Sequence, residues 1–331
     1  MTPTNDWKDR LGAISRRYGI YLIFVGLIIV CSIISPIFFT YKNLMNVARQ
    51  ISITGILAFG ETLLIISGMI DLSFGSVMAL AGMVSIRVFL STGSFPAAFL
   101  TAVVIACGCT IINGFFTTRV KLPAFIATMS MDLIARGAVY IYTGGIPIYN
   151  IGDMGRVSSD YLGGIIPIPV VFLLVIFAFC WVILSKTKLG RSLYAVGGNA
   201  DAANASGISV AKTRVIAYII AGVFVGIAGT LQMARLNSGL PDTAIGYHGD
   251  AIASAVIGGT SFTGGIGTAT GTLIGAFIMG IISNILNLMG VQSYVQQVVK
   301  GLIILAAVSV DLLSKSKRVR TVKTDEQQPQ A

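Results

Sequence analysis

The chain has 331 residues, 55% of them hydrophobic and only 11% charged, with a mean hydropathy of +0.85. A water-soluble globular chain of this length does not carry so apolar a composition, so a membrane-embedded class is the starting point. The net charge of +10 is spread over alternate connections between apolar runs, namely residues 8–17, Arg119 and Lys121, residues 185–214 and residues 315–323. It reads as an orientation signal that places these segments and both termini in the cytoplasm. No basic patch is interleaved with stacking aromatics, so no nucleic-acid partner is expected.

In chain order, a polar, basic segment (1–18) precedes a first span over 19–39, read as a retained helix and not as a cleaved leader because no small-residue cleavage site follows it. Residues 51–90 are too long for one crossing. The polar cluster Asp71, Ser73, Gly75 and Ser76 falls near their middle, so either two crossings joined by a tight turn or a helix broken at mid-membrane fits. Further spans are expected over 95–118 and from Pro123, a residue suited to a first helical turn, to 142. Residues 144–164 form the largest outer loop and the natural contact for anything that delivers substrate. A span over 165–184 returns the chain to the polar stretch 185–214.

Spans over 215–234, 266–288 and 291–313 follow, with the short piece 250–262 read as a half-helix or as a span completed by neighbouring residues. The expected fold is therefore an all-α polytopic membrane bundle of about ten elements, some of them broken or half-length, in a lipid bilayer. The transmembrane domain covers 19–313 and a basic tail covers 314–331. Gly222 and Gly226, and Gly267, Gly271 and Gly275, put small residues on single helix faces and predict close packing. Glycine and hydroxyl breaks near Asp71 and near Gly258, Gly259, Ser261, Gly264 and Gly265 suggest two pseudo-repeated halves.

Neither catalytic chemistry nor a cofactor or metal site is visible. Cys31, Cys107, Cys109 and Cys180 lie within apolar runs at no disulfide or metal spacing. His248 reads as an interfacial side chain near Asp250. Glu61, Asp71, Asp132, Arg136, Asp250 and Lys300 are ionisable groups at membrane depth and so candidates for ion coupling. Asp132 and Arg136, at i and i+4, predict a helix-internal ion pair, and Asp71 predicts a capping role at its break. No glycine-rich run ends in Gly-Lys-Ser or Gly-Lys-Thr, so the chain has no P-loop of its own. Within 185–214, Asn199 predicts an N-cap, Asp201 a favourable first-turn charge and Gly207 a helix stop. Between them Ala200, Ala202, Ala203 and Ala205 give a smooth surface.

The run Ala195-Val-Gly-Gly-Asn-Ala-Asp-Ala-Ala-Asn-Ala-Ser-Gly-Ile-Ser-Val resembles the cytoplasmic loop of permease subunits of bacterial sugar ABC importers of the ribose, galactose and allose type. Ile66-Ser-Gly-Met-Ile-Asp-Leu-Ser-Phe-Gly-Ser resembles that family's Gly-Gly-Ile-Asp-Leu-Ser-x-Gly-Ser stretch, with Met69 where glycine is usual. Gly258-Gly-Thr-Ser-Phe-Thr-Gly-Gly-Ile-Gly-Thr and the ending from Tyr294 to Asp311 follow in the family's order. The resemblance implies a bacterial inner-membrane pore, homodimeric or occasionally heterodimeric. A cytosolic ATPase subunit would grip the loop helix through Asn199, Ala200, Asp201, Ala202, Ala203, Asn204, Ala205, Ser206 and Gly207. A periplasmic sugar-binding protein would dock outside. Phe125 and Met129 are expected to line the path. A permease of branched-chain amino-acid importers is the nearest alternative, and an ion-coupled secondary transporter is a further one.

Overall fold

The computed structural model describes residues 6–325. Apolar runs fold as helices because lipid offers backbone N–H and C=O groups no other partner. The helices are α1 (Asp6–Ile34), α2 (Tyr41–Ile66), α3 (Phe74–Thr92), α4 (Phe95–Thr118), α5 (Ala124–Thr143), α6 (Arg156–Ser159), α7 (Ile168–Lys186), α8 (Lys188–Gly198), α9 (Ala200–Ala205), α10 (Val210–Leu236), α11 (Tyr247–Ile257), α12 (Ala269–Leu288) and α13 (Ser293–Asp325). Seven of them, α2 to α5, α7, α10 and α12, are long and apolar enough to cross a membrane. The apolar parts of α1 and α13 are shorter. Helix α11 has 11 residues, about 16 Å at 1.5 Å per residue and so roughly half a bilayer core. The chain is an all-α polytopic bundle, and the expected half-helix is α11.

Of the two readings of 51–90, the structure takes separate crossings: α2 and α3 are joined by residues 67–73. Three boundaries differ from expectation. Helix α1 already begins at Asp6 and α13 continues to Asp325, so the basic segments flanking the bundle are extensions of the outer helices; residues 1–5 and 326–331 lie outside the described residues. Pro123 is the N-cap of α5 and not a first-turn residue. The loop 144–164 is folded: β1 (Ile148–Tyr149) pairs antiparallel with β4 (Ser238–Gly239), and β2 (Tyr161–Leu162) with β3 (Ile166–Pro167). It forms a cap at the end of the bundle opposite the 187–209 connection.

The centre of the bundle is α2 and α10. Their apolar windows are 83% and 72% buried, whereas those of α4 and α5 are 22% and 28% buried and leave broad faces uncovered. Packing repeats with the halves exchanged. Helix α10 lies on α3 and α4, while α2 lies on α11 and α12; α3 packs on α4 and α5, while α11 packs on α12 and α13. This relates α2–α5 to α10–α13 with opposite chain direction, the arrangement of inverted repeats. Under that exchange the break after α2 corresponds to residues 237–246, not to the break after α11, so the two motif-bearing breaks are not equivalents. What they share is a helix end, because both α2 and α11 run toward the 187–209 connection.

The glycine spacing acts through close approach. A Cβ on Gly226 would lie 2.5 Å from Cα of Val103 on α4, and one on Gly275 would lie 2.9 Å from N of Gly258 beside α11. Polar side chains reinforce these contacts at depth: the Asn43 and Asn284 amides exchange hydrogen bonds of 3.0 and 2.8 Å, and Thr62 meets Thr272 at 2.6 Å. All four cysteines are free, with Cys31 and Cys180 buried.

Candidate functional site

Residues 187–209 form two helices. Thr187 caps α8 by accepting from N of Gly190, and Asn199 caps α9 by accepting from N of Ala202 at 2.9 Å. Gly207, at φ +81°, closes α9: its N–H reaches O of Asn204 and that of Ile208 reaches O of Ala203. This is the glycine-terminated helix stop expected when carbonyls at a helix end need donors. Asp201 lies in the first turn of α9. The surface away from the bundle carries Asn199, Asp201, Ala202, Asn204, Ala205, Ser206 and Gly207. Ala203 is a correction to the expected docking surface: it is 4% exposed and faces the bundle. The helical register forces this, since one face of a six-residue helix must pack while the others meet solvent. Ala200 is half-buried.

The sequence reading missed α8, and α8 joins this connection to the bundle. Its Gly197 sits against backbone on two sides: a Cβ there would lie 2.6 Å from N of Gly265 and 2.8 Å from C of Ile66, and nearer still to the Ile66 oxygen. Across this point N of Gly265 donates to O of Ile66 at 2.9 Å. Arg214 at the start of α10 donates through Nε to O of Ser67 at 3.2 Å, and Tyr194 of α8 donates to O of Gly267 at 2.8 Å. Burial pushes the Tyr194 phenol above its usual pKa, which keeps it a donor. The α8–α9 connection, the end of α2 and the second break thus meet at one junction. The sequence signal was the Gly197-Gly198 pair, whose first member alone is wedged.

The two breaks are built alike at the helix end. Gly68 (φ +78°) and Gly259 (φ +85°) terminate α2 and α11 with matching pairs of backbone bonds, Gly68 N to Ile65 O with Met69 N to Leu64 O, and Gly259 N to Val256 O with Thr260 N to Ala255 O. Met69 therefore sits where the turn tolerates a side chain. Beyond Gly68, the carboxylate of fully buried Asp71 accepts from N of Ser73 at 2.8 Å, from Oγ of Ser73 at 2.5 Å and from Nδ2 of Asn113 on α4 at 2.9 Å. These bonds hold the turn before α3 and are not the helix cap expected of Asp71, because Ser73 is the N-cap and no side chain caps it; Asn113 is a partner the sequence reading did not name. Glu61, also buried, accepts from N of Asp71 at 3.4 Å. In the second break Ser261 N donates to O of Ile266, and Asp311 of α13 accepts from N of Phe262 at 3.2 Å and Oγ of Ser261 at 3.3 Å. Gly264 and Gly265 both have positive φ and lie directly against Gly197 and Gly198.

Gly75 and Ser76 belong elsewhere. They occupy the first turn of α3, where a Cβ on Gly75 would press on O of Ala244 and approach Nδ1 of His248 at 3.7 Å. Ser76 donates to Oδ1 of Asp132 and accepts from Nε of Arg136 at 3.2 Å. The expected Asp132–Arg136 ion pair does not form; the hydroxyl of Ser76 stands between them, and Nη1 of Arg136 donates instead to O of Pro241 and Thr243. His248 borders this polar group, and Asp250 pairs with Lys300 of α13 at 2.6 Å. Phe125 and Met129 are each 55% exposed on α5. At helical spacing they share a face with Asp132, Arg136 and Tyr140.

A family model described as branched-chain amino acid transport system / permease component matches residues 43–308. The chain belongs to this family. The permease is 41% identical over 292 residues to the ribose import permease of Escherichia coli K12, covering 86% of this chain and 90% of the relative. It is 36% identical over 304 residues to the D-allose transport system permease of the same organism, covering 90% and 93%. To its L-arabinose transport system permease it is 35% identical over 312 residues, covering 94% of each chain. No solved structure matches the permease. Membership of a transport-permease family agrees with the polytopic bundle of apolar helices.

Proposed function

We infer that the chain is the transmembrane permease subunit of an ATP-binding-cassette importer that carries a monosaccharide, a pentose or hexose, across the bacterial inner membrane. The observation that carries this reading is the junction, where a short exposed helix is tied through Gly197 to the end of α2 and to the break that follows α11. A chain without a P-loop needs a surface on which a separate ATPase can act, and the outer face of α9 supplies one. Closure of an ATPase pair would move α9, and the wedge at Gly197 would carry that motion to α2, α11 and the breaks between them and their successors. The loop face is then cytoplasmic, with both termini on that side. A second copy of the chain completes the pore. The cap 144–164 faces the periplasm, where Arg49, Arg156 and Arg235 border a cleft of 640 Å³ suited to receiving a sugar-binding protein. The sugar assignment rests on relatives named for ribose, allose and arabinose, in preference to the amino acids in the family's description.

The test is uptake by proteoliposomes holding the permease, its ATPase subunit and its binding protein, supplied with D-ribose, D-allose or L-arabinose. Uptake should require ATP and binding protein and should ignore an uncoupler; uptake abolished by the uncoupler and indifferent to ATP would establish an ion-coupled carrier instead. In the same system Ala205→Arg, on the exposed face of α9, should lower ATP-driven uptake at least about tenfold, a loss of ~1.4 kcal/mol of coupling, while the melting temperature stays within the small range of surface substitutions. Wild-type uptake in Ala205→Arg would remove α9 as the ATPase contact.

A further inference from the structure

A polar cavity of 240 Å³ lies between α3, α5 and the start of α11, lined by Ser76, Asp132, Arg136, Tyr140, Ile245 and His248 among others. It is smaller than the about 300–1,000 Å³ of drug-sized sites and on the scale of a single sugar ring. Charged groups at this depth in a bundle are costly and are kept for a reason. Here the opposite charges of Asp132 and Arg136 do not meet, since no ion pair joins them. One hydroxyl, that of Ser76, donates to the carboxylate and accepts from the guanidinium at once.

We propose that this cavity is the sugar contact along the transport path, with Asp132 and Arg136 taking vicinal hydroxyls of a monosaccharide in the manner in which they already hold Ser76. The proposal rests on the sugar-importer reading above. The chemistry of the group fits a neutral polyol. Ser76 occupies Oδ1 of Asp132, and Ser76, Pro241 and Thr243 occupy Nε and Nη1 of Arg136. Oδ2 and Nη2 remain as a fixed acceptor and donor, and charged groups make the stronger hydrogen bonds to hydroxyls. His248 borders the cavity beside this group, with its Nδ1 buried and without a partner. The two formal charges of Asp132 and Arg136 cancel, so the cavity does not call for a bound ion. Its rim is apolar and open, with Tyr140 43% and Ile245 66% exposed, and the Tyr140 ring offers a flat face to sugar C–H bonds. Ala244, at φ +63°, holds the 244–248 turn against Gly75, and backbone in sparsely populated regions collects at functional sites. The same face of α5 continues through Met129 and Phe125, so the cavity lies on a line that runs along the whole helix.

The experiment is the number of D-ribose, D-allose or L-arabinose molecules moved per ATP hydrolysed in the reconstituted complex. Asp132→Asn, which removes the charged acceptor, and Ile245→Trp, which fills the cavity from its exposed rim without touching the polar group, should each lower this ratio about tenfold for the transported sugar. A purely structural role would reduce uptake and hydrolysis together and leave the ratio at the wild-type value, and that result overturns the proposal. Should Asp132→Asn not reach the membrane, Ile245→Trp alone decides. Absence of ATP-driven uptake of all three sugars by the wild-type complex would instead overturn the sugar-importer reading itself.

Discussion

Gly197 and Gly198 are neighbours at the end of the same helix, yet a methyl group placed on each has opposite consequences. On Gly198 it meets nothing within 4 Å, and replacing a helical glycine by alanine there should be neutral or stabilising by up to about 1 kcal/mol. On Gly197 it lies 2.6 Å from N of Gly265 and 2.8 Å from C of Ile66. Against N of Gly265 alone, reaching the ordinary limit of 3.4 Å requires 0.8 Å, found by subtracting 2.6 Å from 3.4 Å, and the nearer Ile66 oxygen requires more. The opposing atoms are all backbone, so no rotamer change relieves the overlap. The displacement opens the 2.9 Å bond from Gly265 N to Ile66 O. Overpacking at about 1–3 kcal/mol and an unsatisfied buried backbone group at about 1–3 kcal/mol together give about 2–6 kcal/mol. Gly197→Ala should therefore lower the melting temperature of the detergent-solubilised permease by several degrees and sever ATP hydrolysis from sugar uptake, while Gly198→Ala keeps both. Equal behaviour of the two variants, or wild-type uptake in Gly197→Ala, would refute the wedge.

The pair Lys300–Asp250, at 2.6 Å with side chains 23% and 15% exposed, ties α13 to α11. Lys300→Ala should destabilise by about 3 kcal/mol because it strands a carboxylate, and Lys300→Ala with Asp250→Asn should regain part of that loss; a double variant no more stable than the single one in a thermal melt would show that the pair is not coupled. Asp71→Ala leaves N and Oγ of Ser73 without their acceptor, and Asn113 with only Oγ of Ser73, and should cost about 1–3 kcal/mol, read as a lower melting temperature with unchanged discrimination among sugars. Wild-type stability in Asp71→Ala would show that its bonds to Ser73 and Asn113 do not hold the turn before α3.

Sequence alone determined the class of the fold and most of its elements, because the bilayer sets both the length of a span and the need for each backbone group to bond within it. The length of the short run 250–262 narrowed it to a half-helix or a span completed by its neighbours, and Asn199 with Gly207 delimited α9, since capping is a local matter settled within a few residues. Pairings across the bundle were not legible in this way. Asp132 and Arg136 have ion-pair spacing, yet the hydroxyl of Ser76 from another helix separates them, and no local rule contains that information. Asn113 looked like one polar residue in an apolar run until folding brought it to Asp71. Spacing marked Ala203 and Ala205 alike as small residues, and only packing decided that the first is buried and the second exposed. Gly197 and Gly198 were likewise equal in sequence. The tertiary structure alone brings Ile66 and Gly265, from opposite halves of the chain, to the two sides of the first glycine and leaves the second facing open space, because close approach is a property of three chain segments meeting and not of any one of them.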